Sequence, residues 1–96
     1  MEYGAIDLHA RHSLIYLVAA DGTSVLERRV MTTVGAFTAV LQGRPRARVL
    51  IESGTESEWV AQAIEACGHE VVVASPLRVA PSFNAGALSG PGASEM

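Results

Sequence analysis

The sequence contains no lysine: its seven basic residues are all arginine, and they stand against ten acidic residues. The resulting formal net charge of -3 has the wrong sign for a protein that holds nucleic acid through its overall charge. Four arginines still form two short groups, Arg28 with Arg29 and Arg44 with Arg46. These groups fit either paired phosphate contacts or solvated charges at a strand end and in a loop, so charge alone indicates no function.

Cysteine is limited to Cys67, which excludes an intrachain disulfide and a cysteine-rich zinc site. Because it falls in an apolar helical pattern, we expect Cys67 to pack as a small hydrophobic side chain. Long apolar runs are also lacking, since no window approaches the roughly 20 apolar residues that span a bilayer. The N-terminus has no basic and apolar segments of the kind found in secretion signals. We therefore expect a cytoplasmic protein without a membrane partner.

What is present suits one small domain, because 49% of the 96 residues are hydrophobic. The first third alternates in the manner of strands, which we predict over residues 3–9, 13–20 and 24–32. Asp21 and Gly22 separate the last two strands and predict a hairpin turn, since both residue types tolerate positive φ. In the first strand Asp7 is set between Ile6 and Leu8 and faces the opposite side.

After the third strand the apolar residues recur every 3.6 residues, as in a helix, instead of every two residues, as in a strand. Thr33 is expected to cap a helix over residues 34–42, and Gly43 to end it. A short buried strand over residues 48–52 carries Glu52 at its C-terminal end. Thr55 and Glu58 have the spacing of a capping box, which predicts a second helix reaching about residue 66. A final strand is predicted over residues 70–74.

The predicted order β-β-β-α-β-α-β corresponds to an α/β fold with a mixed sheet, antiparallel on one side and parallel on the other. This is the layout of ribonuclease-H-like nucleases. We expect residues 1–80 to form such a domain, incomplete at its C-terminus. Residues 81–96 are dominated by Ala, Gly, Ser and Pro without any period, which predicts a disordered tail.

Two carboxylates are the candidate catalytic and metal-binding residues. In open α/β sheets the chemistry lies at the carboxyl ends of strands where the connection direction switches, here between the first and fourth strands. Those strands carry Asp7 and Glu52. Neighbouring strands lie about 4.8 Å apart, so both side chains can reach one hard cation such as Mg²⁺ or Mn²⁺. The alternatives are a solvent-facing Asp7 and a Glu52 that only stands beside a helix N-terminus.

Other polar or aromatic residues have simpler interpretations. His9 and His12 follow Asp7, but no third ligand accompanies them, which favours surface or substrate-proximal histidines over zinc ligands. Glu56 and Glu58 suit the first turn of a helix. Trp59 lies on the apolar side of that helix, which favours core packing over stacking on a base.

Three segments in order resemble the N-terminal domain of insertion-sequence transposases of the IS-one-ten group, relatives of Piv invertases. They are GAIDLH at residues 4–9, VLIESGTESEW at residues 49–59 and GHEVVVASPLRV at residues 68–79. The resemblance covers about residues 3–80. It implies a RuvC-like domain with a D-E-D-D metal site, in which Asp7 matches the first Asp and Glu52 the Glu.

The same resemblance implies partners and missing parts. Intact members of the family act on DNA together with a structured guide RNA encoded by their element, and carry a second domain with a nucleophilic serine. Their two remaining acidic residues follow soon after the segment that ends at Val79, where this sequence departs from the pattern. We therefore expect a truncated transposase with half of a metal site, inactive alone. Missing core elements would expose one sheet face, which favours homo-oligomers or aggregation.

Two further functions stay open at this point. One is a regulatory interaction module that binds full-length transposase or its RNA. The other is a ribonuclease-H-like phosphotransferase or hydrolase unrelated to transposition. The latter requires a glycine-rich phosphate-binding turn after the first strand, and residues 9–12 contain no glycine.

Overall fold

A computed structural model describes residues 1–75, which fold into five strands and two helices in the predicted order. The elements are β1 (Glu2–Asp7), β2 (His12–Val18), β3 (Ser24–Met31), α1 (Val34–Leu41), β4 (Ala47–Glu52), α2 (Ser57–Ala66) and β5 (Glu70–Ala74). The expected domain end at residue 80 and the expected tail over residues 81–96 lie outside the described residues. No helix within residues 1–75 is long and apolar enough to cross a membrane.

The five strands form one mixed, open sheet in the order β3-β2-β1-β4-β5. β1 and β3 each pair antiparallel with β2, whereas β4 pairs parallel with both β1 and β5. The predicted division into an antiparallel and a parallel side is therefore confirmed. The connection direction switches between β1 and β4, because the chain leaves β1 for β2 and returns to β4 only after α1.

The hairpin between β2 and β3 turns at the predicted pair. Gly22 has a φ of +89°, which glycine adopts without the steric cost of a Cβ atom. The backbone N–H of Thr23 donates to Oδ1 of Asp21 over 2.9 Å, and the N–H of Ala19 donates to the carbonyl of Thr23 over 2.9 Å. These bonds close the turn and set the register of the two strands.

The core lies between one face of the sheet and both helices. Alternate strand residues point into it, and each helix contributes one apolar stripe. Its buried members are Ile6, Ile15, Leu17, Phe37, Leu41, Ala47, Val49, Ile51, Val60 and Ile64. Trp59 and Cys67 pack against this cluster, as expected. The ring centroids of Trp59 and Phe37 lie 6.1 Å apart, and the angle between the two ring planes is 43°.

The opposite side of the sheet, which we call the open face, carries apolar side chains in solvent. Tyr16, Ala5, Leu50 and Val72 occupy matching positions on four successive strands. Tyr16, Leu50 and Val72 are all exposed, Leu50 to 46%. Within residues 1–75 both helices pack on the other side of the sheet, so the open face has no covering layer in that part of the chain.

The two helix starts differ from each other. Thr33 caps α1 as predicted, since its side chain accepts the N–H of Ala36 over 3.1 Å. The predicted capping box of Thr55 and Glu58 is wrong. Helix α2 begins only at Ser57, and its hydroxyl closes the preceding turn by accepting from the N–H of Gly54 and donating to its carbonyl. This turn moves the helix start past Thr55, so the threonine no longer stands at the cap position.

Candidate functional site

The sheet places both predicted carboxylates at neighbouring strand ends. Asp7 is the last residue of β1 and Glu52 the last residue of β4. Because the parallel register pairs Ile6 with Ile51, the residues that follow them are neighbours across the sheet. Ile6 and Ile51 point into the core, so Asp7 and Glu52 point to the open face, and both are exposed.

Both carboxylates line one cleft of about 230 Å³. Its walls are residues 6–10, which end β1 and begin the turn to β2, and residues 52–57, which link β4 to α2. Glu56 also lines this cleft, but its Oε1 accepts a hydrogen bond from Nε1 of Trp59. The cleft therefore offers Asp7 and Glu52 as the carboxylates directed at solvent.

His9 is the direct partner of Asp7. Its Nε2 atom lies 3.1 Å from Oδ2 of Asp7, and both side chains are more than half exposed, at 65% and 57%. Screening by solvent makes such an exposed contact weak, so a metal cation could displace the imidazole from the carboxylate. The sequence indicated a histidine near the acid, and the structure brings it into contact with the carboxylate.

A second concave surface adjoins the cleft, and we call it the basic pocket. It has a volume of about 280 Å³ and shares His9 with the cleft. Four of the side chains that line it carry or can carry positive charge: His9, Arg11, His12 and Arg29. Sequence reasoning singled out Arg29 only as part of a pair and left Arg11 aside. The sequence does not show the strand register that brings Arg29 to this pocket. In that register Leu14 of β2 pairs with Asp7 of β1 and with Arg29 of β3.

The turn between β1 and β2 is held by a closed set of hydrogen bonds. The hydroxyl of Thr32 donates to the carbonyl of His9 over 2.7 Å, so the Ser13 hydroxyl, 2.7 Å from Thr32 Oγ1, must be the donor of that pair. Ser13 Oγ in turn faces the N–H of His9 at 3.5 Å. Because Ser13 is buried, this network fixes the turn from beneath while its basic side chains stay exposed.

The second arginine group lies elsewhere. Arg44 pairs with Glu2 over 3.6 Å, and the carbonyl of Arg46 accepts the N–H of Glu2 over 3.0 Å. Glu2 begins β1 and Asp7 ends it, so this group lies at the far end of the strand, about 17 Å from the cleft at some 3.3 Å per residue. Arg44 therefore takes a structural role at the opposite edge of the domain.

The described residues supply only part of a metal cage. Within residues 1–75, no group of three His, Cys, Asp or Glu side chains is placed to hold a metal ion. Two exposed carboxylates still fit Mg²⁺, which commonly binds through one or two carboxylates and keeps several waters. They do not fit a two-metal site, which needs more ligands.

Comparison with known proteins shows distant similarity to solved structures. No family model matches the chain, and no curated protein matches it. The crystal structure of the type II variant of the Aquifex aeolicus Ppx/GppA phosphatase is similar, with 17% sequence identity and a TM-score of 0.41. The match covers 79% of this chain and 36% of that one, so the chain spans about a third of the phosphatase's length.

Proposed function

We propose that this chain supplies Asp7 and Glu52 to the divalent-metal site of a ribonuclease-H-like, RuvC-like transposase domain, whose activity is metal-dependent phosphodiester chemistry in DNA transposition. One observation carries the proposal: the two carboxylates end adjacent parallel strands and line one solvent-filled cleft. The sequence resemblance independently matches the same two residues to the first two acids of the D-E-D-D site.

The arrangement acts as a half-site. Bound Mg²⁺ or Mn²⁺ would polarise a phosphoryl oxygen and stabilise developing negative charge. Asp7 and Glu52 would hold such a cation from one side, and the contact with His9 orients the Asp7 carboxylate. Because the described residues offer no third ligand group, the remaining ligands come from another segment or another chain. Catalysis by residues 1–75 alone is therefore not part of the proposal.

Calorimetric titration of the full chain with Mn²⁺ and Mg²⁺ tests the half-site. Asp7→Asn and Glu52→Gln keep the shape of each side chain and remove its charge, so each is expected to abolish measurable binding. Glu58→Gln is the matched control, because Glu58 is exposed in the first turn of α2 and does not line the cleft. Equal heats for the wild type and Asp7→Asn would exclude the metal role of Asp7.

The open face supports a second candidate, a regulatory module that binds full-length transposase or its guide RNA. Exposed Tyr16, Leu50 and Val72 form a contiguous apolar row, which is typical of a protein-binding surface. Leu50→Lys is expected to weaken capture of an intact family member, whereas Val34→Lys, at an exposed position at the start of α1, is not. Absence of any association with the wild-type chain would refute this candidate.

A further inference from the structure

We infer that the basic pocket is an anion-binding subsite that takes a phosphate group of a nucleic-acid strand beside the carboxylate cleft. The inference rests on the proposed function, because it names the part of the substrate that the neighbouring half-site would face. It is carried by the side chains that line the pocket and by their register across the sheet.

The charge of the pocket differs from that of the molecule. The chain has a formal net charge of -3, yet among residues 1–75 no acidic side chain lines the basic pocket. Arg11 and Arg29 make no ion pair with any residue of the described range, whereas Arg44 and Arg48 are paired with Glu2 and Glu70. Two unpaired arginines and two histidines around one concavity provide the donors that an anion needs.

The register places this positive charge next to the carboxylates. Asp7, Leu14 and Arg29 occupy one row across β1, β2 and β3 on the open face. Two strand spacings of about 4.8 Å separate the backbone of Asp7 from that of Arg29. A strand whose phosphate rests on Arg29 would therefore lie within about 10 Å of Asp7 across the open face.

The turn that forms the pocket is already in place before any ligand binds. The Thr32 hydroxyl donates to the carbonyl of His9 and accepts from the Ser13 hydroxyl, and the N–H of Thr32 donates to the carbonyl of Arg11 over 2.8 Å. Little backbone ordering then remains to oppose binding. A phosphate is the anion that fits the proposed function, because Mg²⁺ held by one or two carboxylates typically completes its shell with substrate phosphates.

Binding of a short fluorescein-labelled single-stranded DNA to the full chain, measured by anisotropy without divalent metal, tests the inference. Arg29→Ala is expected to weaken binding roughly tenfold, the loss of one charge-assisted contact. It should also reduce the slope of log affinity against log salt by about 0.7, the value for one phosphate contact on a single strand. Arg11→Ala should behave in the same way.

Arg28→Ala is the matched control. Arg28 is exposed on the same strand and loses the same charge, but it pairs with the core residue Ile15 and so lies on the other side of the sheet. Its affinity should stay within about twofold of the wild type. Equal affinities for Arg28→Ala and Arg29→Ala, with equal thermal stability, would overturn the inference.

Two more measurements separate the possible failures. Inorganic phosphate, followed through the His9 and His12 ring signals by NMR, should bind far more weakly than the DNA; equal affinity would overturn the assignment to a strand. Mn²⁺ calorimetry on Arg29→Ala should match the wild type. Loss of DNA binding by Arg29→Ala with Mn²⁺ binding retained supports the subsite. If the wild type does not bind Mn²⁺ but its DNA binding depends on Arg29, only the proposed function is refuted.

Discussion

Nε2 of His9 lies 3.1 Å from Oδ2 of Asp7, so a side chain of the β1–β2 turn contacts the carboxylate that we propose as a metal ligand. The contact joins the negative cleft to the basic pocket, since His9 lines both. A metal cation bound to Asp7 would therefore compete with the imidazole of His9 for the same carboxylate oxygen.

This competition predicts the effect of removing the histidine. His9→Ala should raise the affinity for Mn²⁺ about two- to fivefold, since an exposed contact between polar side chains contributes at most about 1 kcal/mol. The measurement is calorimetric titration of the variant and the wild type in the same buffer. His12→Ala serves as the control, because His12 lines only the basic pocket. Weaker Mn²⁺ binding by His9→Ala would instead make His9 a metal ligand.

A buried histidine joins three elements of the core. His69 is only 5% exposed; its Nδ1 accepts the N–H of Ala47 over 3.1 Å and its Nε2 donates to the carbonyl of Leu41 over 2.7 Å. His69→Phe leaves both backbone groups buried without a partner, at a cost of about 1–3 kcal/mol for each. Urea unfolding should show this loss. His12→Phe, at an exposed strand position, should change the free energy of unfolding by less than about 0.5 kcal/mol.

The two glycines Gly4 and Gly35 should respond in opposite ways to alanine. A Cβ atom at Gly4 would lie 2.5 Å from both the Leu17 side chain and the carbonyl oxygen of Tyr16, and the backbone oxygen cannot move away cheaply. Gly4→Ala should therefore destabilise the domain by about 1–3 kcal/mol.

At Gly35, within α1, a Cβ atom would meet nothing within 4 Å. Gly35→Ala should stabilise the domain by about 0.5–1 kcal/mol, because alanine restricts the unfolded chain and favours helix. Urea unfolding of both variants measures the two effects. A stability of Gly4→Ala equal to that of the wild type would contradict the close approach of β1 and β2.

The turn aspartate predicts a dependence of stability on pH. The backbone N–H of Thr23 donates to Asp21 and holds the pKa of its carboxyl below the ordinary value of 3.8. Folding therefore favours the ionised carboxylate, which stabilises the folded state. This stabilisation is fully present above pH 3.8 and is lost as the pH falls through the lower pKa of the folded state. Asp21→Asn should show a shallower decline in stability as the pH falls below 3.8. Identical pH profiles for the two proteins would contradict this role.

Much of the fold and half of the site could be predicted from the order of residues. The change of apolar spacing from two to 3.6 located every element, and the Asp-Gly pair located the hairpin, because these signals are local. Their order predicted the mixed sheet and hence the neighbouring positions of Asp7 and Glu52. The capping box at Thr55 failed, because an equally local alternative, the turn closed by Ser57 on Gly54, competes for the same backbone groups.

The sequence by itself therefore determined the elements, their order and the two strand ends that carry carboxylates. Only the tertiary structure decided what surrounds those carboxylates. Arg29 reaches the row of Asp7 through strand register, and His69 turns inward because it satisfies groups 22 and 28 residues away. Such contacts depend on how strands and helices meet across the core. The periodicity of the sequence does not show which buried polar groups, distant along the chain, need a hydrogen-bond partner.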